Sequence, residues 1–138
     1  MATLKMRGDT AEMAVAFDLM RRGYKVAFPY GEDWDYDLIV ERGNRLERVQ
    51  VKHTRSDDEV VVVRCRSQSL TNGKVRAGER YSAATIDWLA VYDATTERCF
   101  YIPAALLGDG KSELRLRLAP ARNGQRLRVR DAEQYTTI

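Results

Sequence analysis

The sequence has few of the residues that build redox centres or zinc sites, with two cysteines and one histidine among 138 residues. Cys65 and Cys99 lack the close spacing of a metal-binding pair. We expect both to be reduced thiols in the core. A lone histidine such as His53 is more often structural than functional. This scarcity argues against a disulfide scaffold and against a cysteine-based metal centre.

Long apolar segments are also missing. No purely aliphatic run is longer than the four valines at 60–63, far short of the roughly 20 residues that span a bilayer. The first seven residues lack the apolar core of a signal peptide. We therefore expect a cytoplasmic protein with no membrane partner. With 44% apolar residues, the length predicts one packed domain over residues 1–138.

The formal net charge is only +3, but the charges are unevenly distributed. Of the 23 basic residues 18 are arginine, whose planar fork matches phosphate oxygens and guanine edges. They concentrate in stretches 64–80 and 111–130, whereas acidic residues cluster at 32–37. This distribution fits a nucleic-acid enzyme that also holds a cation. On charge alone, an arginine-rich surface without a partner is an equal alternative.

The first predicted element is a helix over residues 10–22, with Asp9 as its N-cap and Gly23 at its end. Its predicted apolar face consists of Met13, Ala16, Phe17 and Met20. Its predicted solvent face consists of Asp18, Arg21 and Arg22. The helix is therefore expected to pack on a sheet through those larger apolar side chains.

The rest of the chain alternates short apolar runs with turn residues. Strands are predicted at residues 24–30, 36–41, 45–54, 59–66, 86–93, 98–102 and 113–118, with a return strand at 125–130. Residues 70–82 are predicted to form a long loop or ribbon, and short helices are predicted at 103–107 and 131–135. The pattern predicts an α+β fold, with a mixed β-sheet flanked by helices.

One predicted hairpin brings polar side chains together. A two-residue turn at Gly43-Asn44 sets a register in which Asp37 lies opposite Gln50. Lys52 is then the diagonal neighbour of Asp37, on the same face as Gln50. A carboxylate, an amide and an ammonium thus converge at the open end of the hairpin.

These three groups suit phosphodiester hydrolysis with a metal ion. Asp37 offers hard oxygen ligands for Mg²⁺, and Gln50 offers a neutral carbonyl oxygen. Lys52 can position and help deprotonate a water, or stabilise charge on a phosphate. Asp35, which precedes the strand, competes with Asp37 as the acidic ligand. The alternative is a surface hairpin with an ordinary ion pair between Asp37 and Lys52.

Glu12 has two interpretations. The spacing Asp9-x-x-Glu12 resembles a capping box, in which the glutamate bonds back to the cap residue. By helical phase, however, Glu12 lies near the buried edge of the helix. A carboxylate there needs a partner, and a metal site supplies one.

The ordered set of these motifs resembles the PD-(D/E)XK nucleases. The first half is similar to archaeal Holliday junction resolvases through Gly8-Asp-Thr-Ala-Glu12, Gly23-Tyr24-Lys-Val26, Asp37-Leu-Ile-Val and Gln50-Val-Lys52, with Pro29, Thr54 and Arg55. The second half resembles group I intron-associated homing endonucleases through 86–92, 100–103, 114–116, 123–125 and 132–135. The resemblance implies a restriction-endonuclease-like core.

The resemblance also implies a role for each site residue. Asp37 matches the metal-bridging aspartate, Lys52 the catalytic lysine, and Glu12 the helix-borne glutamate that assists metal binding. Gln50 stands where the motif prescribes an acidic residue, so the site has one fewer negative charge and is expected to bind metal more weakly. The intron-associated group tolerates glutamine at this place.

The resemblance implies a Mg²⁺-dependent DNA endonuclease, with Mn²⁺ able to substitute, that acts on double-stranded or branched DNA as a homodimer or dimer of dimers. Within that class, a sequence-specific homing endonuclease is preferred over a Holliday junction resolvase. A non-catalytic DNA-binding protein on a degenerate nuclease fold is a further alternative, and so is a purely structural domain.

The expected DNA contacts lie in the first basic stretch and its surroundings. The long polar segment 67–81 is expected to enter a groove of DNA, where its side chains contact bases or phosphates. The predicted DNA-binding residues are Arg55, Arg64, Arg66, Gln68, Lys74 and Arg76.

Overall fold

The computed structural model of the chain describes residues 2–71, 74–119 and 129–138, and describes only the backbone of residues 67–71 and 74–79. In chain order the elements are helix α1 (Leu4–Arg21) and strands β1 (Lys25–Ala27), β2 (Leu38–Arg42), β3 (Arg45–Thr54), β4 (Val60–Arg64), β5 (Arg66–Thr71), β6 (Lys74–Arg80), β7 (Trp88–Asp93), β8 (Arg98–Pro103), β9 (Glu113–Arg117) and β10 (Arg130–Asp131), with 3₁₀ helices at Ala104–Leu107 and Ala132–Tyr135. The predicted turn at 123–124 and most of the predicted return strand lie outside the described residues.

A mixed five-stranded sheet in the order β1-β2-β3-β7-β8 forms the centre of the fold. All of its neighbouring pairs are antiparallel except β3 and β7, which run parallel. Leu89, Ala90 and Val91 of β7 are buried in succession. A strand covered on both faces needs such a continuous apolar run.

The two faces of this sheet bury separate hydrophobic clusters. One cluster joins α1 to β2, β3, β7 and β8, with Leu19, Val49 and Tyr101 among its members. The other joins the opposite face to a second, three-stranded sheet in the order β10-β9-β4, through residues such as Val61 and Leu116. Because β3 side chains alternate between these faces, Gln50 and Lys52 point away from α1 while Val49 and Val51 pack beneath it.

The predicted hairpin is confirmed along β2 and β3. Arg42 pairs with Arg45, Glu41 with Leu46, and Ile39 with Arg48, as the two-residue turn requires. The predicted strand 45–54 matches β3. The polar segment after β4 is an antiparallel ribbon of β5 and β6.

The helix differs from its prediction in both position and orientation. It begins at Leu4, because the Thr3 side chain caps it by accepting a hydrogen bond from the Met6 N–H at 3.1 Å. Asp9 lies inside the helix and pairs with Lys5, so the predicted N-cap and capping box are wrong.

The buried face of α1 is made of small and medium side chains rather than large ones. The residues that face the sheet are Ala11, Val15, Ala16 and Leu19. Met13, Phe17 and Met20, predicted to be buried, are each more than half exposed. Two alanines allow the helix to lie close to the sheet, and that close packing decides the face.

Asp18 is also placed differently from its prediction, because it is buried. Its carboxylate accepts hydrogen bonds from the Tyr101 hydroxyl at 2.5 Å, from Arg21 at 2.6 Å and from Arg22 at 3.1 Å. A buried carboxylate is tolerated when it is paired in this way. The partner on β8 ties the helix to the far edge of the sheet.

Four smaller observations complete the comparison with the sequence predictions. One α-helix and two 3₁₀ helices accompany the sheets in the described residues, fewer than flanking helices would suggest. Arg130 and Asp131 pair with β9 in parallel, whereas a return across a tight turn would be antiparallel. Cys65 and Cys99 are both free thiols, as predicted. No helix in the described part of the chain is long and apolar enough to cross a bilayer.

Candidate active site

Asp37 lies at the open end of the hairpin, directly before β2. Its backbone N–H donates to the Val49 carbonyl at 2.9 Å, and its carboxylate Oδ2 accepts the Val51 N–H at 2.9 Å. The ladder of β2 and β3 therefore ends in a side-chain bond rather than in the predicted direct pairing of Asp37 with Gln50. One carboxylate oxygen is fixed by the sheet, and the other is not used by that bond.

Glu12 approaches Asp37 from helix α1. Burial raises the pKa of Glu12 to about 7, and the nearby negative charge of Asp37 adds to this shift. The pKa of Asp37 is also raised, mainly by burial, despite the Val51 N–H and the Lys52 ammonium, which favour its charged form. The two carboxyl groups are close enough for Glu12 to donate a hydrogen bond to Asp37. Such a pair favours a shared proton or a bound cation.

Lys52 lies on the other side of Asp37 and is partly buried. Its Nζ donates to the Arg66 carbonyl at 2.7 Å and sits 5.0 Å from the centre of the Tyr81 ring. Burial lowers the pKa of Lys52, and Asp37 partly opposes that shift. The ammonium is therefore held in place by backbone and ring contacts, with Asp37 as a nearby opposite charge.

One open cavity of about 650 Å³ lies at this end of the hairpin. Asp37, Gln50 and Lys52 line it, together with residues from α1 and from the segment after β6. The Gln50 side chain makes no hydrogen bond to any of the described residues. Its amide oxygen is therefore available to a ligand.

A comparison with protein families decides the identity. The model of the PD-(D/E)XK endonucleases matches residues 2–138. The chain belongs to the PD-(D/E)XK endonuclease family. Members of this family typically use divalent metal ions.

A solved homing-endonuclease structure supports the fold of this PD-(D/E)XK endonuclease. A bacterial homing endonuclease, I-Ssp6803I, is similar with a TM-score of 0.74 and 23% identity, over 97% of this chain and 88% of that one. The Holliday junction resolvase Hjc of Archaeoglobus fulgidus is similar with a TM-score of 0.48 and 11% identity, over 80% and 83% of the two chains. No curated protein matches the chain significantly.

The ligands available to a divalent cation in this PD-(D/E)XK endonuclease are all oxygens. The described residues contain no group of three or more His, Cys, Asp or Glu that could hold a metal ion. This follows from the neutral Gln50, which leaves two carboxylates and one amide. Oxygen donors of this kind suit Mg²⁺. The raised pKa of Glu12 marks a carboxylate pair that lacks a full counter-charge, so the residues fit a divalent cation.

The predicted DNA-binding residues lie in several places. Arg55 and Arg64 are exposed, after β3 and at the end of β4. Arg66 is half-buried at the start of β5, and its Nε has no hydrogen-bond partner. The β5–β6 ribbon contains Gln68, Lys74 and Arg76. The structure describes only the backbone at these three positions.

Several cavity residues were missed by sequence reasoning. They are Leu4, Arg7, Gly8 and Thr85, whereas His53 and the competing Asp35 had been weighed, and Arg80 and Tyr81 end the polar segment expected to enter a groove. Arg7 and Gly8 lie one helical turn before Ala11 and Glu12. A prediction that started the helix at Leu4 would have placed both residues on the helix face that meets the sheet. The predicted start at residue 10 left both residues outside the helix.

The raised pKa of Glu12 makes folding stability depend on pH. The folded protein retains a proton on Glu12 between pH 4.5 and about 7 that the unfolded chain releases, so the unfolding free energy falls as pH rises through this window. We expect Glu12→Gln to raise the melting temperature at pH 8, without divalent ions, by roughly 2–4 °C. The effect is limited because the carboxyl is partly exposed to solvent.

Thermal melts at pH 5 and pH 8 test this expectation. Glu41→Gln is the control, because Glu41 is an exposed carboxylate on β2. An equal rise in melting temperature in both variants, or a drop in Glu12→Gln at pH 8, would contradict the raised pKa.

Proposed function

We propose that the protein is a Mg²⁺-dependent endodeoxyribonuclease that hydrolyses phosphodiester bonds at a specific DNA sequence. The observation that carries this proposal is the convergence of Asp37, Gln50 and Lys52 on one cavity at the open end of the hairpin, with Glu12 beside Asp37. In the proposed site, Asp37, Glu12 and Gln50 hold the cation, with Mn²⁺ able to replace Mg²⁺. A bound Mg²⁺ supplies Lewis-acid polarisation of a phosphate oxygen and lowers the pKa of water.

The protein's own contribution begins with the carboxylates. The Val51 N–H fixes Asp37 Oδ2, so the carboxylate does not need to reorganise when the cation and substrate bind. Glu12 must release its proton to act as a ligand. Metal binding is therefore expected to strengthen as pH rises toward about 7.

Lys52 acts on the phosphate side of the proposed site. An ammonium has three N–H donors, and one of them is used by the Arg66 carbonyl. The others are available to hold the attacking water or to donate to a phosphate oxygen as negative charge builds there. A fixed donor aimed at developing charge is among the strongest catalytic devices.

The ribbon of β5 and β6 supports sequence-specific action. Its base adjoins the candidate site, because the Arg66 backbone carbonyl accepts the Lys52 hydrogen bond and Arg80 lines the cavity. A two-stranded ribbon fits the major groove of DNA, where each base pair presents a distinct pattern. Such a ribbon would read bases close to the point of cleavage, as a homing-type endonuclease requires.

A homodimer or dimer of dimers is part of the proposal. One chain offers one such site, and cutting both strands of a duplex in one encounter takes two. Sedimentation of the free protein and of its complex with duplex DNA measures this directly. A protein that is monomeric in both states would contradict it.

The decisive experiment incubates the purified protein with a duplex library, a supercoiled plasmid and a four-way junction, each with Mg²⁺, Mn²⁺ or EDTA. Metal-dependent cutting of a plain duplex at one sequence is the expected result. Cutting only of the junction, in symmetric pairs, would support a resolvase instead. Salt-sensitive DNA binding without metal-dependent cutting would identify a degenerate, non-catalytic nuclease fold.

Gln50→Glu tests the amide ligand. An added carboxylate supplies the charge that the site lacks, so we expect cleavage to persist and half-maximal activity to need roughly tenfold less Mg²⁺. The Mg²⁺ dependence of cleavage measures the shift. Gln134→Glu is a control that makes the same change at an exposed residue outside the cavity. Severe unfolding of Gln50→Glu would show that position 50 is a structural amide rather than a ligand.

A further inference from the structure

Arg7 lies on the face of α1 whose other residues are buried against the sheet. It precedes the buried Ala11 by four residues and the buried Val15 by eight, so all three share one helix face. At this end of the helix, Arg7 lines the cavity together with Leu4 and Gly8. A half-buried guanidinium therefore continues an apolar stripe toward the candidate active site.

The Arg7 side chain has no partner among the described residues. Its Nε is enclosed and makes no hydrogen bond, and its guanidinium pairs with none of the described carboxylates. Neighbouring charges do find partners: Lys5 pairs with Asp9 at 3.2 Å, and Arg80 in the same cavity donates to the Gly110 carbonyl at 3.0 Å. An enclosed donor left without a partner costs stability, so its presence in the cavity points to a ligand.

The surroundings of Arg7 favour an anion. His53 also lines the cavity, and its pKa is lowered first by burial and then by the positive charges of Arg55 and Arg7. Arg7 and Arg55 therefore both lie near His53, and Arg7 brings a positive charge to the side of the cavity nearest the start of α1. The carboxylates Glu12 and Asp37 lie further along.

We propose that Arg7 binds a DNA phosphate next to the one that is cleaved, an inference that rests on the proposed function. Helical side chains lean toward the N-terminus, so Arg7 points away from Glu12. Its Cα also precedes that of Glu12 by about 7.5 Å along the axis. The guanidinium can thus reach a phosphate of the same DNA strand, next to the phosphate that lies at Glu12 and Asp37. Its fork can then bond phosphate oxygens bidentately.

The test measures DNA binding in EDTA over a range of salt concentrations, with Arg7→Gln, Arg7→Lys and the control Lys5→Gln. For Arg7→Gln we expect Kd at low salt to rise roughly tenfold. The slope of log affinity against log salt should become shallower by about 0.9, the loss of one phosphate contact. Arg7→Lys should recover the slope, since it keeps the charge, and Lys5→Gln should leave it unchanged.

Two further readouts separate this role from others. The melting temperature of Arg7→Gln should equal or exceed that of the wild type, because a neutral amide costs less to enclose than a guanidinium without a partner. The cleavage rate at saturating DNA should stay within about threefold of the wild type, since the contact exists before and during the reaction.

Three results would overturn the proposal. The first is an unchanged salt slope and Kd in Arg7→Gln. The second is a lower melting temperature with an unchanged slope, which would make Arg7 structural. The third is a hundredfold loss of rate at saturating DNA with normal affinity, which would place Arg7 at the cleaved phosphate. If the wild type cuts no DNA with Mg²⁺, the proposed function fails, while the salt slope still decides whether Arg7 binds a phosphate.

Discussion

Asp37→Asn is expected to reduce Mg²⁺-dependent DNA cleavage by about 10³-fold or more while leaving DNA affinity within about threefold. A metal ion in such a site supplies several kcal/mol of stabilisation to the transition state, and each 1.36 kcal/mol corresponds to about a tenfold change in rate. The amide oxygen of asparagine can still accept the Val51 N–H that Asp37 accepts at 2.9 Å. The hairpin should therefore fold normally, and the loss should be confined to cation binding and catalysis.

Single-turnover cleavage and binding in EDTA measure the two quantities separately. Asp35→Asn is the matched control, because Asp35 also lines the cavity but is exposed and precedes the strand. We expect it to retain most activity. Full activity in Asp37→Asn would end the assignment of the site, and loss of activity only in Asp35→Asn would move the acidic ligand to the loop.

Lys52→Met is expected to lower the cleavage rate by about 10²–10³-fold, the usual cost of removing one donor aimed at developing charge. Methionine keeps an apolar stem beside Tyr81 but cannot donate to the Arg66 carbonyl, which Lys52 reaches at 2.7 Å. DNA affinity in EDTA should change little, because the charge acts mainly in the transition state.

A second variant separates chemistry from ribbon placement. Lys52→Arg keeps the positive charge and a donor for the Arg66 carbonyl, but replaces the compact ammonium with a planar fork. We expect it to melt like the wild type and still to cleave slowly. Lys25→Met, at an exposed lysine on β1, should leave the rate unchanged. Wild-type cleavage in Lys52→Met would remove Lys52 from the mechanism.

The hairpin could be predicted because its information is local. A glycine-containing turn fixes the register, and strand alternation then fixes which side chains share a face. The pairs from Arg42–Arg45 to Ile39–Arg48 agree with this reasoning. The reasoning stops one residue short of the site, because Asp37 bonds to the strand through its side chain. Strand register describes only backbone pairing, so it cannot predict a hydrogen bond between a side chain and the neighbouring strand.

The helix could not be placed from its own sequence. Its start depends on Thr3, which is a weaker capping signal than Asp9. Its buried face depends on how closely it lies against the sheet, which favours Ala11 and Ala16 over the larger Met13. From the sequence alone, Asp18 is predicted to be a surface residue. Its buried partner, Tyr101, lies 83 positions later in the chain. Glu12 was nevertheless a correct candidate for proximity to Asp37, since its phase near the buried edge holds for either helix start.

The proposed dual role of Asp37 has a consequence for side-chain length. One carboxylate oxygen accepts the Val51 N–H, so in the proposed site a single methylene sets the distance from that strand to the cation. A glutamate at position 37 would have the same charge and the same ligand chemistry. Its extra methylene would displace either the bond to Val51 or the oxygen offered to the metal. Because the bond to Val51 anchors one oxygen to the sheet, aspartate has the side-chain length that the proposed site needs and glutamate is too long.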